Sequence, residues 1–222
     1  MTADAEMVAQ RVLDVRRRVE RRGVDPDRIR IVAVTKGFGP EAVEAARRAG
    51  LADVGENYAQ ELAAKAPLSP AGTRWHFLGA VQRNKVRRLA PWVSTWHALD
   101  RVAAAEAVAS ASPGAEVMVQ VNVAGDPHRP GCPPEGLDAL VEQLRRMPLD
   151  LSGLMAVGPA GDPEGCRRSF RWLAGRAREL GLRELSMGMS DDFEVAVEEG
   201  ATTLRLGRML FGPRPERIRV QR

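Results

Sequence analysis

The chain has 222 residues, 44% of them hydrophobic and 28% charged, with a formal net charge of +4 and two cysteines. That is one domain's length and ordinary globular composition, which excludes a disordered or fibrous chain. No apolar run approaches the roughly 18–20 residues of a bilayer span, and Cys132 and Cys166 are too few and too far apart for a disulfide framework or a thiolate metal site. A reducing, cytoplasmic setting is the expectation.

In chain order, the first predicted element is an amphipathic helix over about residues 4–22. It carries polar and acidic residues where a secretory signal would place an apolar core. Short β-type runs then alternate with helical patterns. The strands are expected over 30–36, 51–56, 74–80, 95–100, 116–123, 149–158, 184–189 and 202–207. The helices between them are expected over 40–50, 57–66, 82–91, 101–111, 134–147, 163–181 and 191–199. Ile31–Val34 and Val117–Val119 are apolar on both parities, which suits a parallel sheet covered by helices. Eight strands, each followed by a helix or the chain end, count out a single (β/α)8 TIM-type barrel over 1–222 with an extra N-terminal helix, near the lower length for that fold. A doubly wound open sheet is the alternative, but the turn after the first strand, Lys36-Gly37-Phe38-Gly39-Pro40, has no GxGxxG pattern.

The basic residues are nearly all arginine, since Lys36, Lys65 and Lys85 are the only lysines. Two clusters stand out: Arg16–Arg18 with Arg21 and Arg22, and Arg83, Lys85, Arg87 and Arg88. Neither is interleaved with aromatics, so they read as solvated helix faces rather than a nucleic-acid site.

Barrels place functional residues at the C-terminal ends of strands, and often hold phosphate after strands seven and eight. Lys36 ends the first strand behind the apolar run Ile31–Val34. Partial desolvation there would lower its pKa and free a neutral amine to attack a carbonyl; a snorkelling surface lysine is the other reading. Ser190 reads as an N-cap of the helix over 191–199, a helix start that also suits a phosphate. Gly207, after strand eight, lets backbone N–H groups approach an anion. A lysine for an aldehyde and a cradle for a phosphate in one mouth suggest pyridoxal 5'-phosphate (PLP), with Arg205 placed to reach the pyridine nitrogen. Other constellations are weaker. His76, His97 and His128 lack metal-ligand spacing, so no metal is expected. Glu56 and Glu61 make no convincing acid/base pair, and Cys132 lies in a rigid proline-rich loop with no partner that sequence provides.

Several segments carry a resemblance. They are Ala33-Val34-Thr35-Lys36, Gly55-Glu56-Asn57-Tyr58-Ala59-Gln60-Glu61, Trp75-His76-Phe77-Leu78-Gly79 with Gln82 and Asn84-Lys85, and Val119-Gln120-Val121-Asn122. Further on come Gly153-Leu154-Met155, Gly158-Pro159, the block Leu185-Ser186-Met187-Gly188-Met189-Ser190-Asp191-Asp192-Phe193-Glu194-Val195-Ala196, Leu204-Arg205-Leu206-Gly207 and Phe211-Gly212. In this order the chain resembles the pyridoxal phosphate homeostasis proteins, which are similar to the barrel domain of alanine racemases. The resemblance implies a PLP Schiff base on Lys36, a phosphate held by Ser190 and the backbone N–H groups of Gly207 and Arg208, and Arg205 facing the pyridine nitrogen. It also implies a wall role for Asn57 and His76.

The implied function is a carrier or buffer of PLP in vitamin B6 and amino-acid/keto-acid homeostasis, without established turnover. Its expected partners are amino acids and PLP-dependent apoenzymes, with no nucleic acid and no membrane, and the chain is expected to be a monomer. An amino-acid racemase or other PLP enzyme is the alternative. Such racemases take a second proton-transfer tyrosine from another domain, and the single tyrosine here, Tyr58, lies in a different motif. The chain departs from the family at Arg208, where a small hydroxyl residue is usual, at Ala80-Val81, at Arg83 and across Ala124–Pro134.

Overall fold

The computed structural model describes residues 4–213. Its strands are β1 (Arg30–Val34), β2 (Asp53–Glu56), β3 (Arg74–Phe77), β4 (Val93–Leu99), β5 (Glu116–Val121), β6 (Asp150–Ala156), β7 (Glu184–Ser186) and β8 (Thr203–Leu206). They pair in parallel in sequence order, and β8 pairs with β1, so the sheet closes into a barrel. The closing ladder runs from Arg30 opposite Thr203 to Ala33 opposite Leu206. That pairing excludes the open sheet.

The helices among the described residues are α1 (Ala5–Glu20), α2 (Pro40–Arg48), α3 (Ala59–Lys65), α4 (Arg83–Leu89), α5 (Val102–Ala111), α6 (Leu137–Arg145), α7 (Pro163–Glu179), α8 (Phe193–Glu198) and α9 (Arg208–Phe211). None is long and apolar enough to cross a membrane. The doubly apolar strands have a simple cause. Ile31 and Ala33 join the main core between sheet and helices, while Val32 and Val34, of the other parity, are buried outside that cluster.

The N-terminal helix is built as its pattern predicts. Asp4 caps α1 by accepting the Glu6 N–H, and Val8, Val12, Val15 and Val19 form one buried stripe. The stripe packs α1 against α2, α8 and α9. Part of the first basic cluster is tied down here: Arg18 pairs with Glu194 at 3.1 Å and lies over the Phe193 ring, and Arg22 pairs with Glu198 at 2.8 Å.

Some boundaries differ from expectation. β7 ends at Ser186 rather than near 189, because Gly188 turns the chain at φ +94° and lies where a Cβ would meet Ala196 at 2.7 Å. The helix expected over 134–147 opens with a 3-10 turn at Pro134–Gly136, so α6 begins at Leu137. α9 has no counterpart among the expected elements.

The barrel interior is unusual in composition. Such interiors are commonly layers of Val, Ile and Leu, yet the only separate apolar cluster found among the described buried residues is Ala98, Met118 and Met155. His76, His97, Ser186 and Arg205 are also buried.

Candidate functional site

A cavity of about 340 Å3 opens between the strand ends and the loops that follow them. Lys36, Asn57, Ser190, Arg205, Gly207 and Arg208 all line it, so six of the seven residues singled out from sequence meet in one place. His76 does not.

Lys36 is half-buried and sits two residues beyond β1. Its backbone is fixed on both sides: the Thr35 N–H donates to the Gly55 carbonyl at 2.9 Å, and the Gly37 N–H donates to Glu61 Oε2 at 2.8 Å. Gly37 has φ +79°, a conformation that favours glycine at this turn. Beneath the turn lies a group that sequence reading passed over. The buried Lys65 ammonium donates to the Thr35 carbonyl at 2.8 Å, to Glu56 Oε1 at 2.6 Å and to Glu61 Oε2 at 3.1 Å. Burial pushes the Glu56 carboxyl above its ordinary value, with Lys65 opposing the rise. Burial also acts to raise Glu61, but the Gly37 N–H and then Lys65 outweigh it and bring that carboxyl below the usual range. The two glutamates scaffold the strand end, and only the Glu61–Lys65 spacing of four hinted at it.

Ser190 corrects one expectation. The N-cap position of α8 is Asp192, whose Oδ1 accepts the Met189 N–H at 2.5 Å. Ser190 Oγ instead accepts the Met209 N–H at 3.3 Å, joining the loop after β7 to the first turn of α9. Its hydroxyl proton remains for another acceptor. The N–H groups of Gly207 and Arg208, at the start of α9, have no intrahelical acceptor. A Cβ on Gly207 would stand 3.2 Å from the Val34 carbonyl, so glycine keeps this rim open. The Arg208 guanidinium pairs with Asp191 at 2.5 Å, and both residues line the cavity.

Arg205 forms part of the floor. One terminal nitrogen donates to the Ser186 carbonyl at 2.6 Å and to the Ser186 hydroxyl at 2.7 Å, and the other donates to the Ala156 carbonyl at 2.8 Å. Burial brings its pKa down to about 10, with Asp192 partly offsetting the loss, so the guanidinium stays charged at neutral pH.

His76 is placed differently from the expected wall role. It is 1% exposed and lies deeper in the barrel, 2.8 Å from Asp53 through Nε2 and 2.8 Å from His97 through Nδ1. Leu78, two residues further along, reaches the cavity instead. Asn57 stays at the rim because its carbonyl packs against Gly79, where a Cβ would approach within 1.9 Å.

Gln120, Met155 and Val157 also line the cavity and were not singled out from sequence. Gln120 was the most visible of them, a polar residue interrupting an apolar strand. Its Nε2 donates to the Pro130 carbonyl at 3.0 Å, which pins the loop that follows β5. Cys132 in that loop is buried, and burial pushes its thiol up to about 12, which disfavours the thiolate. Among the described residues no cluster of His, Cys, Asp and Glu is arranged to hold a metal ion.

Comparison with known proteins follows the same lines. Residues 6–215 match the model of the alanine racemase N-terminal domain. The chain is 40% identical to the pyridoxal phosphate homeostasis protein of Pseudomonas aeruginosa, over 96% of this chain and 97% of that one. It is 37% identical to the protein of that name from Aquifex aeolicus, covering 92% and 96% of the two chains. Among solved structures, PipY of Synechococcus elongatus with PLP bound superposes with a TM-score of 0.83 at 31% identity, covering 92% of this chain and 100% of that one. The chain therefore belongs to the alanine racemase N-terminal domain family and, within it, to the pyridoxal phosphate homeostasis proteins.

Proposed function

We propose that this protein binds PLP in the barrel mouth as a Schiff base on Lys36, and that it carries or buffers the cofactor in vitamin B6 and amino-acid/keto-acid homeostasis. The observation that carries the reading is the convergence of Lys36, Arg205 and the Ser190–Gly207–Arg208 rim on one cavity of about 340 Å3. That volume lies within the range of about 300–1,000 Å3 usual for small-molecule sites. The donor set fits the group: an amine for the aldehyde, a buried cation for the ring nitrogen, and a hydroxyl with helix-start N–H groups for the phosphate. When bound, PLP supplies an aldehyde that condenses with primary amines.

The residues present favour holding the cofactor over turning it over. A guanidinium only donates, so Arg205 favours an unprotonated ring nitrogen, whereas PLP enzymes that need a strong electron sink keep that nitrogen protonated. Tyr58 lines a neighbouring smaller pocket rather than the main cavity, so it is not placed as a second proton-transfer group. Amino acids and PLP-dependent apoenzymes are the proposed exchange partners.

Three expected outcomes test this reading. Ser190→Ala is expected to weaken retention of PLP by about 0.5–3 kcal/mol, the span from an ordinary hydrogen bond to one with a charged group, as read by equilibrium dialysis. Pyridoxal without its phosphate should be held far more weakly, and equal retention of the two would contradict the phosphate assignment. Deuterium wash-in at the α-carbon of alanine and other amino acids, followed by NMR, is expected to run below about a hundredth of a typical enzymatic ~10 s⁻¹. Fast exchange with inversion would favour the racemase.

A further inference from the structure

Arg205 is a buried cation whose three hydrogen bonds within the protein all end on neutral acceptors. A buried charge is costly unless something answers it, and the Asp192 carboxylate does so only in part. From the Ser186 hydroxyl a chain of buried groups runs toward the other end of the barrel. Ser186 Oγ lies 2.8 Å from His97 Nδ1, His97 Nε2 lies 2.8 Å from His76 Nδ1, and His76 Nε2 lies 2.8 Å from Asp53 Oδ1. At the N-terminal end of the strands Arg74 clamps the Asp53 carboxylate with two hydrogen bonds, at 2.9 and 2.6 Å. Ser186, His97, His76 and Asp53 are each less than a tenth exposed.

The two ends fix the direction of every proton between them. The guanidinium can only donate, so Ser186 Oγ accepts from it and keeps its own proton available for His97 Nδ1. An ionised carboxylate can only accept, so His76 donates from Nε2. A neutral imidazole has one donor and one acceptor nitrogen, so His97 donates from Nε2 and His76 accepts at Nδ1. This arrangement makes all the bonds without adding charge. A protonated His76 would place a further cation in an interior that already holds Arg205, with Arg30 near His97, while Arg74 already answers the single charge of Asp53. Burial is the first cause that holds the His97 imidazole well below its ordinary pKa, in keeping with a neutral ring. Each link presents its negative end toward Arg205 and its positive end toward Asp53, so the aligned dipoles stabilise both buried charges.

We propose that Ser186, His97, His76 and Asp53 form a one-directional hydrogen-bond relay that positions Arg205 as a fixed donor toward the ring nitrogen of the cofactor. The relay's direction rests on this geometry with both rings neutral, and its role toward the cofactor rests on the function proposed above. All four are positioning residues.

The test has two arms. In the first, 15N-resolved NMR of the imidazoles is recorded on the unmodified protein without cofactor at pH 7, with His128→Asn used to identify the third ring. His76 and His97 are expected to be neutral and protonated at Nε2, each with an unprotonated Nδ1. An imidazolium at either ring, or a proton on Nδ1 of His97, would overturn the relay. In the second arm, PLP labelled with 15N at the ring nitrogen is bound to the wild type, His97→Leu and His97→Gln. In His97→Leu the retention of PLP is expected to fall about tenfold, and the ring-nitrogen resonance to move away from its wild-type value. Gln, whose amide both accepts and donates, should recover most of both changes. Unchanged retention and resonance in a folded His97→Leu would overturn the relay while leaving the cofactor reading intact. Failure of the wild type to retain PLP would overturn the cofactor reading, and the cofactor-free arm would still decide the relay's direction.

Discussion

Lys36→Ala is expected to abolish covalent retention of PLP while leaving a folded barrel. The side chain stands beyond the end of β1 and is only half-buried, so its loss removes little of the core. The backbone around it is held by other groups, namely the Gly55 carbonyl, the Glu61 carboxylate and the Lys65 ammonium. A stability change of about 0.5 kcal/mol or less follows for a truncation of this kind. Loss of the amine, by contrast, leaves the aldehyde without its proposed nucleophile, so the visible absorbance of the loaded protein should vanish. Absorbance and a thermal melt on the same sample check both halves. A yellow Lys36→Ala protein would place the attachment elsewhere.

The second large effect falls on stability. Lys65 is the buried cation under the Lys36 turn, with Glu56 fully buried against it. Removing one partner of a buried pair leaves the other charge uncompensated, at a cost of about 3–5 kcal/mol. Lys65→Met is therefore expected to lower the melting midpoint by about 6–20 °C. The penalty carries a pH signature. The Glu56 carboxyl in the folded protein already titrates above its ordinary value near 4.5, and loss of the opposing ammonium raises it further. A folded state that holds its proton more tightly than the unfolded state loses stability as pH rises from the unfolded value through the folded one. The deficit of Lys65→Met should thus be largest at neutral pH and should shrink as pH falls toward 4.5. Adding Glu56→Gln should restore part of the loss. A pH-independent deficit, or a double variant as unstable as the single one, would contradict the pairing argument.

The barrel was legible because parallel strands covered on both faces are apolar at successive positions, as Ile31–Val34 are, and because helical stretches separate them regularly. Lys36, Arg205 and Gly207 were legible for a related reason: a strand's end fixes which rim of the barrel a residue reaches. What remained hidden depends on contacts between distant segments or on depth along the barrel axis. Ser190 looked like a helix cap because α8 follows it closely, yet its partner is the Met209 N–H, on a short helix that no periodicity announced. His76 shares a motif with Leu78 and Gly79, but two residues along a strand separate the cavity wall from the layer beneath it. The bond between His97 and Ser186 joins residues 89 apart in sequence. Lys65 is one of three lysines in the sequence, and only the fold places it under Thr35.

In the proposed function, Lys36 is the residue to which PLP attaches. Borohydride reduction of the PLP-loaded wild-type protein, followed by mass mapping of its peptides, tests it most directly, because reduction fixes the linkage to whichever amine carries it. One modified site, at Lys36, is the predicted result; a reduced adduct on Lys65, Lys85 or the N-terminal amine with Lys36 unmodified would contradict it.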